Sequence, residues 1–239
     1  MGGRLRAGPW FHFAFVVGRR LRHMAAAPTR ISHHPKMPTL HDQFGPIDIY
    51  LFDQLLRGRI TPGSRILDAG CGSGRNLVYF LRQKYEVFAS DWDPLAIDET
   101  RRLATALAPA LPATNFRLEP VEAMSFPEAF SPVVLLNAVL HFARDEDHFR
   151  AMLQGAWRVL KPGGLLFSRL ASTIGMERQI QHISGRRYLL PDGSERFLVD
   201  ETLLMNLTVQ LGGQLLDPLK TTVVQDQRAM TTWVLEKNA

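Results

Sequence analysis

Cysteine is almost absent from this sequence: Cys71 is the only one in 239 residues. That count excludes an internal disulfide and a multi-cysteine zinc site, so no structural metal is expected and a reducing, cytoplasmic compartment suits the chain. Long apolar runs are missing as well. None approaches the roughly 18 to 20 residues that a membrane-spanning helix requires, so no membrane partner is expected. With 46% hydrophobic and 21% charged residues the chain is too apolar to be wholly disordered. Its length suits one α/β domain that folds without staples.

Acidic residues are missing from one stretch. Residues 1–41 hold six Arg and one Lys with no Asp or Glu, which leaves 21 basic and 23 acidic residues for 42–239. The tail is therefore +7 and the body −2, and the sequence pI of about 9.7 belongs to the tail. No nucleic-acid groove is inferred from it, and nucleic acid is not expected as a partner. Residues 10–17 form a short apolar patch between arginines, but it contains His12 and lacks a neutral cleavage region, which argues against a signal peptide. An organelle leader fits the same letters. The reading adopted is a basic, disordered extension over 1–41, upstream of a later start at Met24 or Met37, followed by a domain over 42–239. Five of the eight histidines fall in this tail, where no scaffold would hold metal geometry.

From about residue 40, short apolar runs alternate with longer amphipathic ones, the pattern of βα units around a mostly parallel sheet. The spacing predicts strands at 65–69, 86–90, 115–119, 133–137 and 165–170, and helices at 76–84 and 94–108. Asp93 would cap the second helix, with Pro94 at its first position. Phe149, Met152, Leu153, Ala156, Trp157 and Leu160 share one face of a further helix, residues 161–164 read as a turn, and 201–211 as a helix closed by Gly212 and Gly213. Two last strands near 215–224 and 230–236 are joined so briefly that they pair antiparallel.

The informative segment is residues 66–76, ILDAGCGSGRN, a strand running into a glycine-rich turn that opens a helix. Side chains at Gly70, Gly72 and Gly74 would keep a ligand from lying across the turn, and a helix N-terminus behind it offers oriented N–H groups. Asp91 follows 21 residues after Gly70, at the end of the second strand, where a carboxylate accepts both hydroxyls of a ribose. Arg75 stands where the dinucleotide fingerprint requires its third glycine, which argues against NAD. With no pyrophosphate to neutralise, a loop carrying the acid Asp68 at its mouth suits a cofactor with a cationic sulfonium and a zwitterionic amino-acid end, S-adenosylmethionine.

Over roughly residues 45–239 these motifs resemble the class I S-adenosylmethionine-dependent methyltransferases. Residues 67–74 are similar to the family's first motif, whose backbone holds the methionine part of the cofactor. Residues 87–94, VFASDWDP, resemble the second, with Asp91 on the ribose and Trp92 beside the adenine. Val121, Glu122 and the following MSFP resemble the loop that reads the adenine edge, Asn137 sits at the methionine end, and residues 158–164, RVLKPGG, form a further signature. Two positions depart from the pattern: Pro120 replaces a frequent adenine-binding Asp, and Pro132 an Asp that usually opens strand four. The glycine loop followed by Arg75 and Asn76 resembles tellurite-resistance-like small-molecule methyltransferases. The resemblance implies a Rossmann-like, doubly wound, mostly parallel seven-stranded α/β sheet with an antiparallel terminal pair. It also implies cofactor contacts at Asp68, Gly70, Cys71, Gly72, Gly74, Asp91, Trp92, Val121, Glu122 and Asn137.

Methyl transfer from a sulfonium needs the nucleophile held in line and little covalent help. If a base is used, His141 is the candidate, because it follows strand four at the ligand-binding edge of the sheet. The nearly thirty residues 171–199 exceed what a connection needs. Pro191-Asp192-Gly193 reads as the turn of a hairpin there, and the segment is expected to act as a lid or acceptor wall. No cysteine-proline nucleophile pair, no Asn/Asp-Pro-Pro-aromatic run and no basic stripe points to a DNA or RNA substrate, so a small-molecule acceptor is expected. Two other classes stay open: a non-catalytic module that binds the same cofactor, and a nicotinamide-dependent oxidoreductase.

Overall fold

A computed structural model describes residues 37–239. The basic segment singled out above therefore lies, up to residue 36, outside the described residues. The chain enters through two short helices, α1 (Leu40–Phe44) and α2 (Ile49–Leu56), and then builds alternating strands and helices: β1 (Arg65–Ala69), α3 (Val78–Arg82), β2 (Glu86–Asp91), α4 (Pro94–Leu107), β3 (Phe116–Leu118), β4 (Ser131–Asn137), α5 (Glu146–Val159) and β5 (Leu160–Ser172). Three short strands follow, β6 (Gln181–Ser184), β7 (Arg187–Leu189) and β8 (Glu195–Phe197). The chain closes with α6 (Glu201–Gln210), β9 (Gly213–Leu215), β10 (Lys220–Val224) and β11 (Arg228–Lys237).

The main sheet has the order β10-β11-β5-β4-β1-β2-β3, with β9 added alongside β11. Strands β1 to β5 are parallel, and β11 runs antiparallel to β5, β9 and β10. The expected seven strands and antiparallel terminal pair are present. The eighth strand is β9, a three-residue edge piece that stands apart from β10, where the sequence pattern predicts a single strand near 215–224.

Strand alternation sends neighbouring residues to opposite faces, and both faces are apolar because both are covered. Leu67 and Ala69 of β1 join Val134 and Leu136 of β4 in the layer under α5 and α6. Ile66, Val133 and Leu135 join the layer under α2, α3 and α4. Asp93 caps α4 by accepting the N–H of Leu95, with Pro94 at the helix start as expected. The KPGG stretch differs from expectation. Rather than ending an element it bulges out of β5: Ser131 pairs with Leu160 but Val133 with Leu165, so the extra residues loop outward, and Gly163 takes φ +70°.

Inside the 171–199 excursion the expected hairpin β7-β8 is joined by β6 into a small antiparallel sheet. It is fastened beside the carboxyl end of β5. Phe197 stacks on Phe149 of α5 at 4.7 Å, and Leu198 and Leu190 bury against Ala171.

Candidate active site

All parallel strands end on the same edge, where connecting loops leave a crevice between them. There a cavity of about 810 Å³ is lined by the glycine loop, the ends of β2 and β4, and the turns that follow them.

Each glycine of the loop has its own reason. All three take positive φ, at +77°, +54° and +78° for Gly70, Gly72 and Gly74. A Cβ on Gly70 would meet Val139 at 2.6 Å, and one on Gly74 would meet Leu103 and Thr100 of α4 at 3.0 Å. Only at Gly72, of the three, does nothing lie within 4 Å. The expectation that all three clear room for a ligand thus holds in space for Gly72 alone, while the other two permit close packing inside the protein. The helix behind the loop is also shorter than expected. It is a five-residue α3 that starts at Val78, and the N–H groups of Gly70 and Cys71 donate to the Ser90 carbonyl at 2.8 and 3.0 Å, tying the loop to β2.

Asp91 closes β2 with its oxygens fixed by backbone: Oδ2 accepts the N–H of Gly72 at 2.8 Å and Oδ1 that of Asp93 at 3.0 Å. Trp92 beside it is 77% exposed and lines the cavity. Asn137 ends β4, buried, with neither amide atom partnered among the described residues. Ala138 after it takes φ +63° and donates its N–H to Arg169. A non-glycine residue in that region is strained, and such strain collects at functional sites. Asp68 is 1% exposed, its Oδ2 is unpartnered among the described residues, and burial pushes its pKa up to about 7, with Arg75 opposing and Asp91 adding to the rise.

Of the residues anticipated from the sequence, Gly70, Cys71, Gly72, Asp91, Trp92, Val121, Glu122 and Asn137 all line this cavity, whereas Asp68 and Gly74 do not. His141 does not line it. It is buried, its Nδ1 accepts the N–H of Ala171 at 3.3 Å, and burial lowers its pKa to about 4.

His148 and Arg144 are among the lining groups that were not anticipated. His148 accepts the N–H of Arg144 on Nδ1 and faces Glu122 Oε1 with Nε2 at 3.1 Å. Arg144 itself lines the cavity and also a second one of about 630 Å³ between α5 and the small sheet. Glu122 and His148 lie 26 residues apart, so no sequence spacing announces the pair.

Residues 66–164 match the family model described as Methyltransferase domain. Over that stretch the chain carries a methyltransferase domain. The match is at the level of that domain and does not reach the tellurite-resistance-like subgroup. Among curated relatives, an uncharacterized methyltransferase, YodH, of Bacillus subtilis is 37% identical over 106 residues, covering 44% of this chain and 42% of the relative. A tRNA 5-carboxymethoxyuridine methyltransferase of Escherichia coli is 29% identical over 102 residues, covering 43% and 38%. The chain thus spans about two fifths of these relatives' length. With a tRNA methyltransferase among them, the expectation that nucleic acid is no partner gains no support. The fold matches a Burkholderia thailandensis 1,6-didemethyltoxoflavin-N1-methyltransferase, solved with S-adenosylhomocysteine, at TM-score 0.59 and 22% identity, covering 77% of this chain and 76% of that one. Among the described residues, no helix is long and apolar enough to cross a membrane.

Proposed function

We propose that this chain is an enzyme that transfers a methyl group from S-adenosylmethionine to a small-molecule acceptor. The observation that carries the reading is the pairing of Gly72, open toward the cavity, with Asp91, whose carboxylate is fixed by the Gly72 N–H and keeps lone pairs free. When bound, the cofactor supplies a methyl group activated on a sulfonium.

The chain's own residues divide the binding. Asp91 would accept the ribose hydroxyls, and Trp92, Val121 and Glu122 would frame the adenine, with His148 holding Glu122 in place. The Gly70, Cys71 and Gly72 backbone would follow the methionine end, while Gly74 lets the loop close on α4. Asn137 and Asp68 carry buried polar atoms without a protein partner among the described residues, and buried polar groups of that kind call for a ligand to satisfy them. On this reading His141, set behind the lining, is a neutral acceptor that fixes Ala171 of β5. Residues 171–199 act as the acceptor wall: Arg196 of β8 lies 4.8 Å over the ring of Phe142, which lines the cavity.

Thermal shift and calorimetry test the proposal. S-adenosylmethionine and S-adenosylhomocysteine should raise the melting temperature, because a ligand at 100 times its dissociation constant adds about 2.7 kcal/mol to a native state that alone binds it. NAD should not. Asp91→Ala should weaken S-adenosylhomocysteine binding by roughly 2 to 3 kcal/mol through lost charge-assisted hydrogen bonds. A shift with NAD and none with the sulfonium compound would overturn the cofactor assignment, and methyl label appearing only on tRNA would overturn the small-molecule acceptor.

A further inference from the structure

The two cavities share one side chain. Arg144 lines the cofactor-side cavity and also the second cavity, whose walls are Asp145 and Glu146 at the start of α5, Ser184, Arg186, Arg187 and Tyr188 of the small sheet, and Asp200. The other charges around that second cavity are already matched. Arg186 pairs with Asp200 at 2.9 Å and Arg187 with Glu195 at 2.8 Å, Glu146 pairs with Arg150 at 2.7 Å, and Asp145 caps α5 by accepting the N–H of His148. Arg144 is exposed and, among the described residues, has no carboxylate within ion-pair distance. Its guanidinium is left over at the seam.

The bases of the cofactor-side lining already hold hydrogen bonds. Both oxygens of Asp91 accept backbone N–H groups, Glu122 faces His148, and Nδ1 of His148 takes the N–H of Arg144. Cys71 is a buried thiol held far above its ordinary pKa by burial and by Asp68. The remaining polar lining, Ser73, Arg75, Asn76 and Asn137, supplies no proton acceptor near neutrality. An acceptor that must lose a proton to the cofactor-side lining would compete with those hydrogen bonds. A carboxylate has no such need, being ionised well below pH 7.

We infer that the methyl acceptor is a carboxylate on a small polar molecule, seated by the Arg144 guanidinium at the junction of the two cavities, with the rest of the molecule in the cavity under the small sheet. The inference rests on the methyl-transfer reading above. In the transfer one carboxylate oxygen forms the new C–O bond as the methyl C–S bond breaks. Anion and sulfonium become a neutral ester and a neutral thioether, and no proton moves. Charge is lost in that step, so a site of low dielectric favours it over water. A guanidinium fork fixes the carboxylate in one orientation, and each oxygen keeps a second lone pair with which to attack the methyl. A phosphate dianion fits less well, because a single free cation would leave half its charge beside Asp145 and Glu146.

The test uses the full chain saturated with S-adenosylhomocysteine and titrated calorimetrically with a panel of aliphatic and aromatic monocarboxylic acids and their primary amides. Acids should bind at least 10-fold more tightly than the matching amides. Arg144→Gln should erase that preference and Arg144→Lys should restore part of it, each variant being compared at its own saturating S-adenosylhomocysteine concentration. In a second arm, label from methyl-tritiated S-adenosylmethionine should enter the bound acids and be released by alkali as volatile methanol. No acid binding, equal binding of acids and amides, an unchanged acid affinity in Arg144→Gln, or alkali-stable label would each overturn the inference while leaving methyl transfer standing. Failure of the wild-type protein to bind S-adenosylhomocysteine would instead remove the reading beneath it.

Discussion

Burial favours the neutral forms of two titratable side chains near the carboxyl edge of the sheet, and their contributions to stability run in opposite directions with pH. Asp68 is pushed up to about 7 by desolvation, so the folded state keeps a proton that the unfolded chain gives up near the ordinary carboxylate pKa. Its contribution is fully present at low pH and is lost as pH rises through about 7. His141 is lowered to about 4 by desolvation, with Arg196 and Arg228 adding to it. Its contribution is present above the ordinary imidazole pKa and is lost as pH falls toward about 4. Between those limits the two slopes oppose each other in the wild type. In Asp68→Asn only the His141 slope remains, so the urea midpoint of the variant should climb relative to wild type from pH 4.5 to 7. Midpoints that stay parallel across that range would show that Asp68 is already ionised. A ligand ammonium near Asp68 would draw off its proton, so binding S-adenosylhomocysteine near pH 6.5 should release protons, measurable as a dependence of the calorimetric heat on buffer ionisation enthalpy.

At the scale of elements, the turn between β10 and β11 is built from the wrong residues for its shape. Gln225 and Asp226 both take positive φ, +48° and +54°, and Gln227 N–H bonds to the carbonyl of Val224 at 2.9 Å. Positive φ at both central residues is the requirement of a type I′ turn, which favours Asn-Gly. Asp226→Gly should therefore stabilise the protein by about 0.5 to 1 kcal/mol, read as a rise of a few degrees in melting temperature; an unchanged or lower value would refute the strain. The same elements explain what a reader of the sequence sees. Strands β1 and β4 are legible because they are buried on both faces and so appear as continuous apolar runs, and Asp91 and the glycine loop are legible because they lie at fixed spacing within one βαβ unit. The helices α1 and α2 are not. They are short, and what holds them comes from far along the chain: Phe44 stacks on Tyr79, and Asp48, the N-cap of α2, pairs with Arg169 at 3.0 Å. β6 escapes because all four of its residues are exposed, which leaves no alternation to read. The Glu122–His148 pair and the seam at Arg144 depend on the packing of α5 against the 3-10 turn Val121–Ala123, and only the folded chain brings them together.

At the scale of the molecule, charge and fold are separable. Residues 38–239 form one compact unit whose sheet is covered on one face by α5 and α6 and on the other by α2, α3 and α4. The cavity, the glycine loop, Asp91 and Arg144 all belong to that unit. The excess of basic charge does not: removing residues 1–36 takes away six Arg and Lys36, carrying the net charge from +5 to −2. We therefore propose that a chain beginning at Met37 keeps the fold and the cofactor site while changing its electrostatics. Its S-adenosylhomocysteine dissociation constant should stay within about twofold of the full chain's and its melting temperature within a few degrees, because the groups in question sit among their own partners. Its retention on heparin at low salt should fall sharply, since attraction to a polyanion is set by the net positive surface and is screened over about 10 Å at 0.1 M salt. Loss of cofactor affinity on truncation would mean that the basic segment packs on the domain. Retained heparin binding at net charge −2 would reveal a cationic surface on the domain itself, and would bring nucleic acid back as an acceptor.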